Sequence, residues 1–165
     1  MEKKVLTEQA LYFGDVNMPK YFEINRPELA LDIFKYSFTR KFPMSKSLDK
    51  LDTYIRNYLR AKHNIAVVSK TREGFIFQPN ETTKPCMDID FESLKDSADY
   101  TMLYGVGVED CYVTILYDNN RRKQQYWKIN LTHNKYIIFP SSNMYFITND
   151  QNKELNFVLK MTYRQ

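Results

Sequence analysis

Apolar and polar positions change period once along this chain, near Asn64, and the change separates a helical beginning from a strand-built remainder. Leu48, Leu51, Tyr54, Ile55, Tyr58 and Leu59 recur every three or four positions, which predicts one stripe of a helix starting near Ser47. Asp49, Lys50, Asp52, Arg56, Arg60 and Lys62 take the opposite side, with Asp52 and Arg56 spaced as an i, i+4 ion pair. A stripe of this kind faces a core, so Leu51, Ile55 and Tyr58 are expected to be buried against a sheet. An earlier helix is marked by Asn25 as N-cap, Pro27 in the first turn and Glu28 at the positive end of the dipole. Leu29, Ala30, Ile33 and Phe34 supply its apolar face, and the link at Phe42-Pro43 breaks it. The first 25 residues read as irregular, apart from a short strand near Leu11–Phe13.

After Asn64 the pattern becomes that of strands: Ile65–Ser69, Gly74–Phe77, Tyr100–Val106, Cys111–Tyr117, Gln125–Asn130, Tyr136–Phe139, Met144–Thr148 and Asn156–Tyr163. Turn signals separate them, among them Gln78-Pro79-Asn80, Asp118-Asn119-Asn120, Pro140–Asn143 and Asn149–Asn152. Short strands at regular spacing with no helix between them predict two facing antiparallel sheets, consecutive strands tending to alternate between them. No linker, repeat or low-complexity tract interrupts the chain. The expectation is therefore a single mainly β (α+β) domain over residues 1–165, with a helical part over 1–63 packed outside a β core over 64–165.

Composition narrows the function classes. Thirteen tyrosines and eleven phenylalanines suit a sandwich or barrel, while four glycines and the lack of GxGxxG or GxxxxGK[ST] argue against a phosphate-cradling loop. A net charge of +4 is modest and scattered, so nucleic acid is not the expected partner. No apolar run is long enough to span a membrane, and the opening MEKKVLTEQALYFGD lacks an apolar signal core. Cys86 and Cys111 sit in no CxxC or Cys/His cluster and read as reduced thiols, consistent with a cytoplasmic setting.

Three constellations could carry chemistry. The histidines, His63 at the end of the second helix and His133 in a turn, are too few for a three-histidine metal site and read as structural. Asp88, Asp90 and Glu92 alternate in DIDFE, which on a strand puts three carboxylates on one face, either a metal or acid/base site or a solvated edge. Arg121-Arg122-Lys123 precede Tyr126-Trp127, a pairing that suits single-stranded nucleic acid or, more simply, a charged hairpin tip. With no GxSxG, a hydrolase triad has no support.

The segment Lys135–Tyr163, KYIIFPSSNMYFITNDQNKELNFVLKMTY, resembles the C-terminal strands of the Fe(II)/2-oxoglutarate dioxygenases, and PCMDIDF followed by DYTMLYGV resembles that family's HxD strand and the strand after it. The resemblance covers roughly residues 64–165 and is nearest in look to dioxygenase-like proteins of tailed phages of marine cyanobacteria. It implies a double-stranded β-helix, jelly-roll-like, with two N-terminal helices outside. Carried over position by position, it sets Cys86 at the first histidine, Asp88 at the aspartate, Tyr145 at the distal histidine and Asn156, within a residue or two, at the oxoglutarate-binding arginine. On a different register His133 would be the second ligand. A facial triad needs two imidazoles and a carboxylate with open positions, and an amide cannot offer oxoglutarate the charged fork of an arginine.

The expectation from these departures is a degenerate site: no catalytic residues, no metal, no cofactor, and a binding or structural module, phage-encoded, with protein partners in that setting. The rival expectations are an active oxygenase using Fe(II) and 2-oxoglutarate through atypical ligands, and an aromatic-lined ligand- or nucleic-acid-binding β-barrel. On the degenerate reading, Cys86, Asp88 and Tyr145 still cluster near the mouth of the barrel.

Overall fold

The helical stripe and the strand alternation meet at a five-stranded sheet. The structure, a computed structural model, describes residues 9–18, 23–41, 43–120, 123–151 and 153–165. Arg121, Arg122, Phe42 and Asn152, which enter the sequence reading, lie outside the described residues. The elements are β1 (Tyr12–Asp15), α1 (Arg26–Thr39), α2 (Lys46–His63), β2 (Val68–Phe77), β3 (Tyr100–Gly107), β4 (Cys111–Asn120), β5 (Lys123–Leu131), β6 (Lys135–Pro140), β7 (Met144–Asn149) and β8 (Asn156–Arg164). They form two antiparallel sheets, one in the order β1-β6-β3-β8-β2 and the other β5-β4-β7. Isolated bridges Thr82↔Thr148 and Cys86↔Tyr145 lay residues 82–86 beside β7, as an irregular fourth member of the smaller sheet. From β2 on and counting that segment, consecutive strands change sheet at every step except the β4–β5 hairpin.

Both helices begin where capping chemistry places them. The Asn25 side chain accepts from Glu28 N, and the Ser45 side chain accepts from Leu48 N at the start of α2. Glu28 then ties the two starts together, because its carboxylate accepts from the Ser47 hydroxyl and from Ser47 N. Each helix stops at a residue in the left-handed region, Arg40 and Asn64, whose backbone N–H closes the last turn. Leu48, Leu51, Ile55 and Leu59 are fully buried against the larger sheet, while Tyr54 and Tyr58 are half-buried and stacked. In α1, Leu29 and Ile33 are buried but Phe34 is 49% exposed, because the close packing falls on the other side. Gly74 of β2 fixes that approach: a Cβ there would lie 2.9 Å from the Ile33 Cα.

Four further expectations need correction. Ile65–Ser69 and Gly74–Phe77 are not two strands, since β2 runs through Lys70-Thr71-Arg72-Glu73 with one register shift near Thr71. Those polar residues are tolerated because β2 is an edge strand whose faces each find a charge partner: Arg72 reaches Asp49 and Asp52 of α2, and Glu73 reaches Lys160 between the sheets. Asp52, assigned to the exposed side of its helix, is buried between Arg56 and Arg72. The N-terminal strand starts one residue later than Leu11 and pairs with β6, so a piece of the part expected to be helical completes the larger sheet. Asp88, Asp90 and Glu92 lie on no strand at all: past Cys86 the chain leaves the sheet.

The core has two layers. Side chains such as Met102, Tyr104, Ile138, Met161 and Tyr163 pack under the helices, and Leu103, Val113, Ile137, Phe139, Ile147 and Val158 pack between the sheets. Alternation along β8 therefore sends Phe157, Leu159, Met161 and Tyr163 to the helices. It sends Asn156, Val158, Lys160 and Thr162 into the space between the sheets.

Candidate functional site at the mouth of the sheets

A lysine in the middle of an apolar strand must find a charge partner or lose its charge. Lys160 is 7% exposed, and its Nζ donates to Asp88 Oδ1 at 2.6 Å and to Glu73 Oε2 at 2.9 Å, with the Phe75 ring centroid 5.4 Å away. Burial opposes the ammonium, but the Asp88 and Glu73 carboxylates outweigh it, so the Lys160 pKa lies above the usual lysine value. Asp88 accepts hydrogen bonds from the other side as well. Its Oδ2 accepts from the Tyr145 hydroxyl at 3.0 Å and from the Thr101 hydroxyl at 2.9 Å. Thr101 is in turn 2.9 Å from the buried Ser141 hydroxyl, and Asp88 N donates to Ser141 O at 3.2 Å.

The elements that place these groups are three. The Cys86 bridge, with paired backbone hydrogen bonds of 2.9 and 2.8 Å to Tyr145, holds the Cys86–Asp88 segment against the start of β7. The Phe139-Pro140-Ser141 end of β6 fixes Asp88 from below, and β8 supplies Lys160 across the gap. Burial first, then the nearby Asp88 and Cys86, keeps the Tyr145 phenol far above its ordinary pKa and hence protonated. Cys86 lies at the exposed rim, where desolvation pushes its thiol up. A recess of about 270 Å³ opens beside the cluster, lined by Lys70, Glu73, Asp88, Ile89, Ser97 and Thr162 among others.

Cys86, Asp88 and Tyr145 are thus brought together, and the remaining candidates are not. Asn156 faces the same interior but stands four residues along β8 from Lys160, some ~13 Å at ~3.3 Å per residue. There its amide accepts from Glu109 N and Gln151 Nε2 and donates to Glu109 O, pinning two loops. His133 is exposed and accepts from Val108 N at 3.3 Å, at the end of β3 away from Thr101, which removes it as a ligand beside Asp88. His63 is exposed and lies against Tyr12 and Tyr58. Asp90 caps a turn by accepting from Glu92 N and Ser93 N, and Glu92 is solvated. Cys111 is wholly buried, which pushes its thiol up to about 12. Tyr126 is 69% exposed while Trp127 turns inward, so they offer no common stacking face.

Sequence reasoning missed Lys160, Glu73, Thr101 and Ser141. The signal for Lys160 was present, since it is the one charged residue within Asn156–Tyr163, on the face it shares with Asn156 and Thr162. A second recess, of about 470 Å³, lies on the β4–β5 side and is lined by Leu11, Ile115, Tyr117, Trp127 and Asn143, with Phe13 edge-on to Trp127 at 5.3 Å.

These residues do not fit an iron site. A facial triad presents lone pairs toward one point, whereas here Asp88 already accepts three donor protons and a resident ammonium occupies the cationic position. Among the described residues, no three His, Cys, Asp or Glu side chains are grouped so as to hold a metal ion.

No family model matches the sequence, and no curated protein matches it by sequence. Solved structures do match. A prolyl-4-hydroxylase from Pseudomonas putida superposes with a TM-score of 0.64 at 8% identity, covering 95% of this chain and 86% of that one. The fold is the double-stranded β-helix of the 2-oxoglutarate/Fe(II) oxygenases. A viral collagen prolyl hydroxylase from Paramecium bursaria Chlorella virus-1 gives 0.60 at 13% identity, with 93% and 95% of the two chains covered. A 2OG-Fe(II) oxygenase-family oxidoreductase from Burkholderia pseudomallei gives 0.56 at 8% identity over 74% of this chain. The chain spans only 57% of that protein's length. No helix among the described residues is long and apolar enough to cross a membrane.

Proposed function

We propose that this chain is a non-catalytic member of the oxygenase fold, a β-helix binding module that takes up neither iron nor oxoglutarate. One observation carries the reading: the carboxylate at the metal-ligand position is bonded to Lys160, Tyr145 and Thr101, so its lone pairs face protons and not an open cation site. The oxoglutarate anchor is absent in the same sense, because Asn156 spends its amide on Glu109 and Gln151. We place the ligand seat in the aromatic recess of Leu11, Tyr117 and Trp127, whose rings suit a planar apolar ligand. The phage-encoded setting rests on the resemblance of residues 64–165 alone, and the cytoplasmic one on the two unclustered thiols and the absence of an apolar signal core at the start.

Calorimetric titration with Mn(II), alone and with oxoglutarate, tests the central claim. The expected result is no saturable heat. Binding at micromolar affinity that disappears in Asp88→Ala would overturn this reading and favour the active-oxygenase one. Trp127 is the sole tryptophan, so its emission reports directly on the second recess.

A further inference from the structure

We propose that Lys160 and Asp88 become joined by an isopeptide bond, formed within the folded chain with Glu73 as the proton carrier. The arrangement contains every part that amide formation between two side chains requires. The nucleophilic nitrogen is close: Nζ lies 2.6 Å from Asp88 Oδ1, one bond from the carboxyl carbon it would attack. The base is in place, because Glu73 Oε2 is 2.9 Å from the same nitrogen. An oxyanion site is also in place. The oxygen that stays on the carbon, Oδ2, accepts from the Tyr145 and Thr101 hydroxyls at 3.0 and 2.9 Å, so both donors are aimed at the atom on which negative charge builds during attack. Tyr145 is well suited to that part, since burial keeps its phenol protonated. Phe75, Phe139 and Val158 surround the cluster on the inner side and limit water there.

The step balances without any oxidant or co-reactant. Glu73 first takes a proton from the ammonium and passes it to Asp88, so that a neutral amine meets a carboxylic acid. The Nζ–Cγ bond then forms, the Cγ–Oδ1 bond breaks, and Oδ1, with a second proton from Nζ, leaves as water. Two protons pass from Nζ to that oxygen by way of Glu73, which ends as the carboxylate it began as. The ion pair that holds Lys160 charged slows the first transfer. That is tolerable for a bond made once per molecule and held at effective molarities that reach roughly 10⁵ M or more in well-oriented cases. The product would staple β8 to the segment leaving the smaller sheet, across a separation of 72 residues, and would lock the mouth of the β-helix. It goes beyond the absence of iron chemistry by giving the degenerate ligand position a reaction of its own.

Intact mass spectrometry of the purified, folded full chain decides the matter. The expected mass is that of the sequence less one water. Trypsin should then release Glu154–Arg164 uncut at Lys160 and joined to the peptide that carries Asp88. Lys160→Arg, which keeps the charge, is expected at its full sequence mass, and Glu73→Gln is expected to remain there over the time in which the wild type converts. A wild-type chain that stays at full mass after prolonged incubation overturns the proposal and leaves the metal titration untouched. Water loss that persists in Lys160→Arg overturns it equally, and a Glu73→Gln chain that converts at the wild-type rate removes Glu73 from the mechanism. Should Lys160→Arg fail to fold, the wild-type mass and the linked peptide decide by themselves.

Discussion

Truncating Leu51 to alanine tests the layer between the helices and the larger sheet. Leu51 is 0% exposed, at the centre of the α2 stripe, and it shares its cluster with Leu29, Ile33, Met161 and Tyr163. Removing its isobutyl group forfeits the transfer energy of the lost methyl and methylene groups and leaves a hole that the sheet beneath cannot close, because β8 is clamped between β2 and β3. Leucine-to-alanine changes at such sites cost ~2–5 kcal/mol, and a floor this rigid puts the expected loss at about 3–4 kcal/mol. For a chain of this size, ~2–4 °C of melting temperature per kcal/mol makes the shift roughly 6–16 °C. Urea unfolding followed by circular dichroism gives the same quantity as a lower midpoint at unchanged slope, since neither end state changes much in exposed area. Phe38→Ala on α1 is the control: that ring is 74% exposed, and its loss should lie within ~0.5 kcal/mol. A Leu51→Ala cost below about 0.5 kcal/mol would mean that α2 is not held to the sheet by this stripe, and the two-layer core would have to be abandoned.

Two further outcomes follow from single positions. Gly105→Ala should destabilise by ~1–3 kcal/mol, since the new Cβ would stand 2.2 Å from the Thr132 carbonyl oxygen, a backbone atom of the β5–β6 turn; a neutral result in urea would contradict that crossing. Stability should also fall as pH rises from about 10 toward 12. Burial holds the Tyr104 phenol protonated up to about 12 in the folded chain, while the unfolded chain releases that proton near 10. The slope reaches at most ~1.4 kcal/mol per pH unit from this one group, and Tyr104→Phe should flatten it; an unchanged slope in that variant would assign the effect elsewhere.

The elements that sequence identified well are those with one clear period or one mostly apolar run. The α2 stripe, β3, β4, β6 and β8 all read true because most of what each buries is apolar. What escaped were places where a charge sits inside and is balanced from a distant segment. Lys70–Glu73 looked like a break because the partners of Arg72 and Glu73 are in α2 and β8, far away in sequence. Asp52 looked solvent-facing for the same reason, its second arginine arriving from β2. The DIDFE alternation suggested a strand, yet the Asp90 carboxylate prefers its own backbone two and three residues on, which turns the chain out of the sheet. The meeting of Cys86, Asp88 and Tyr145 was legible through the family pattern. The lysine that completes it was not, because that pattern concerns lone pairs and Lys160 supplies protons.

The donors at the mouth of the β-helix give Asp88 its partners from within the chain. Where the oxygenase pattern sets imidazoles, this chain has Cys86 and Tyr145, and a protonated phenol can only donate to its neighbour or accept one weak bond. Tyr145 therefore turns Asp88 from a ligand into an acceptor, and Thr101 does the same from β3. A buried carboxylate with two hydroxyl donors still carries its charge and needs a cation nearby. Lys160 provides one from within the chain, on the β8 face that looks into the gap, and Glu73 on the edge strand holds the same ammonium from its other side. Removing the lysine alone would leave two carboxylates facing each other across a desolvated space, a loss of several kcal/mol for a broken buried pair. The cation of the site is thus covalently part of the strand. A metal entering beside Asp88 would have to displace the Lys160 ammonium from Oδ1.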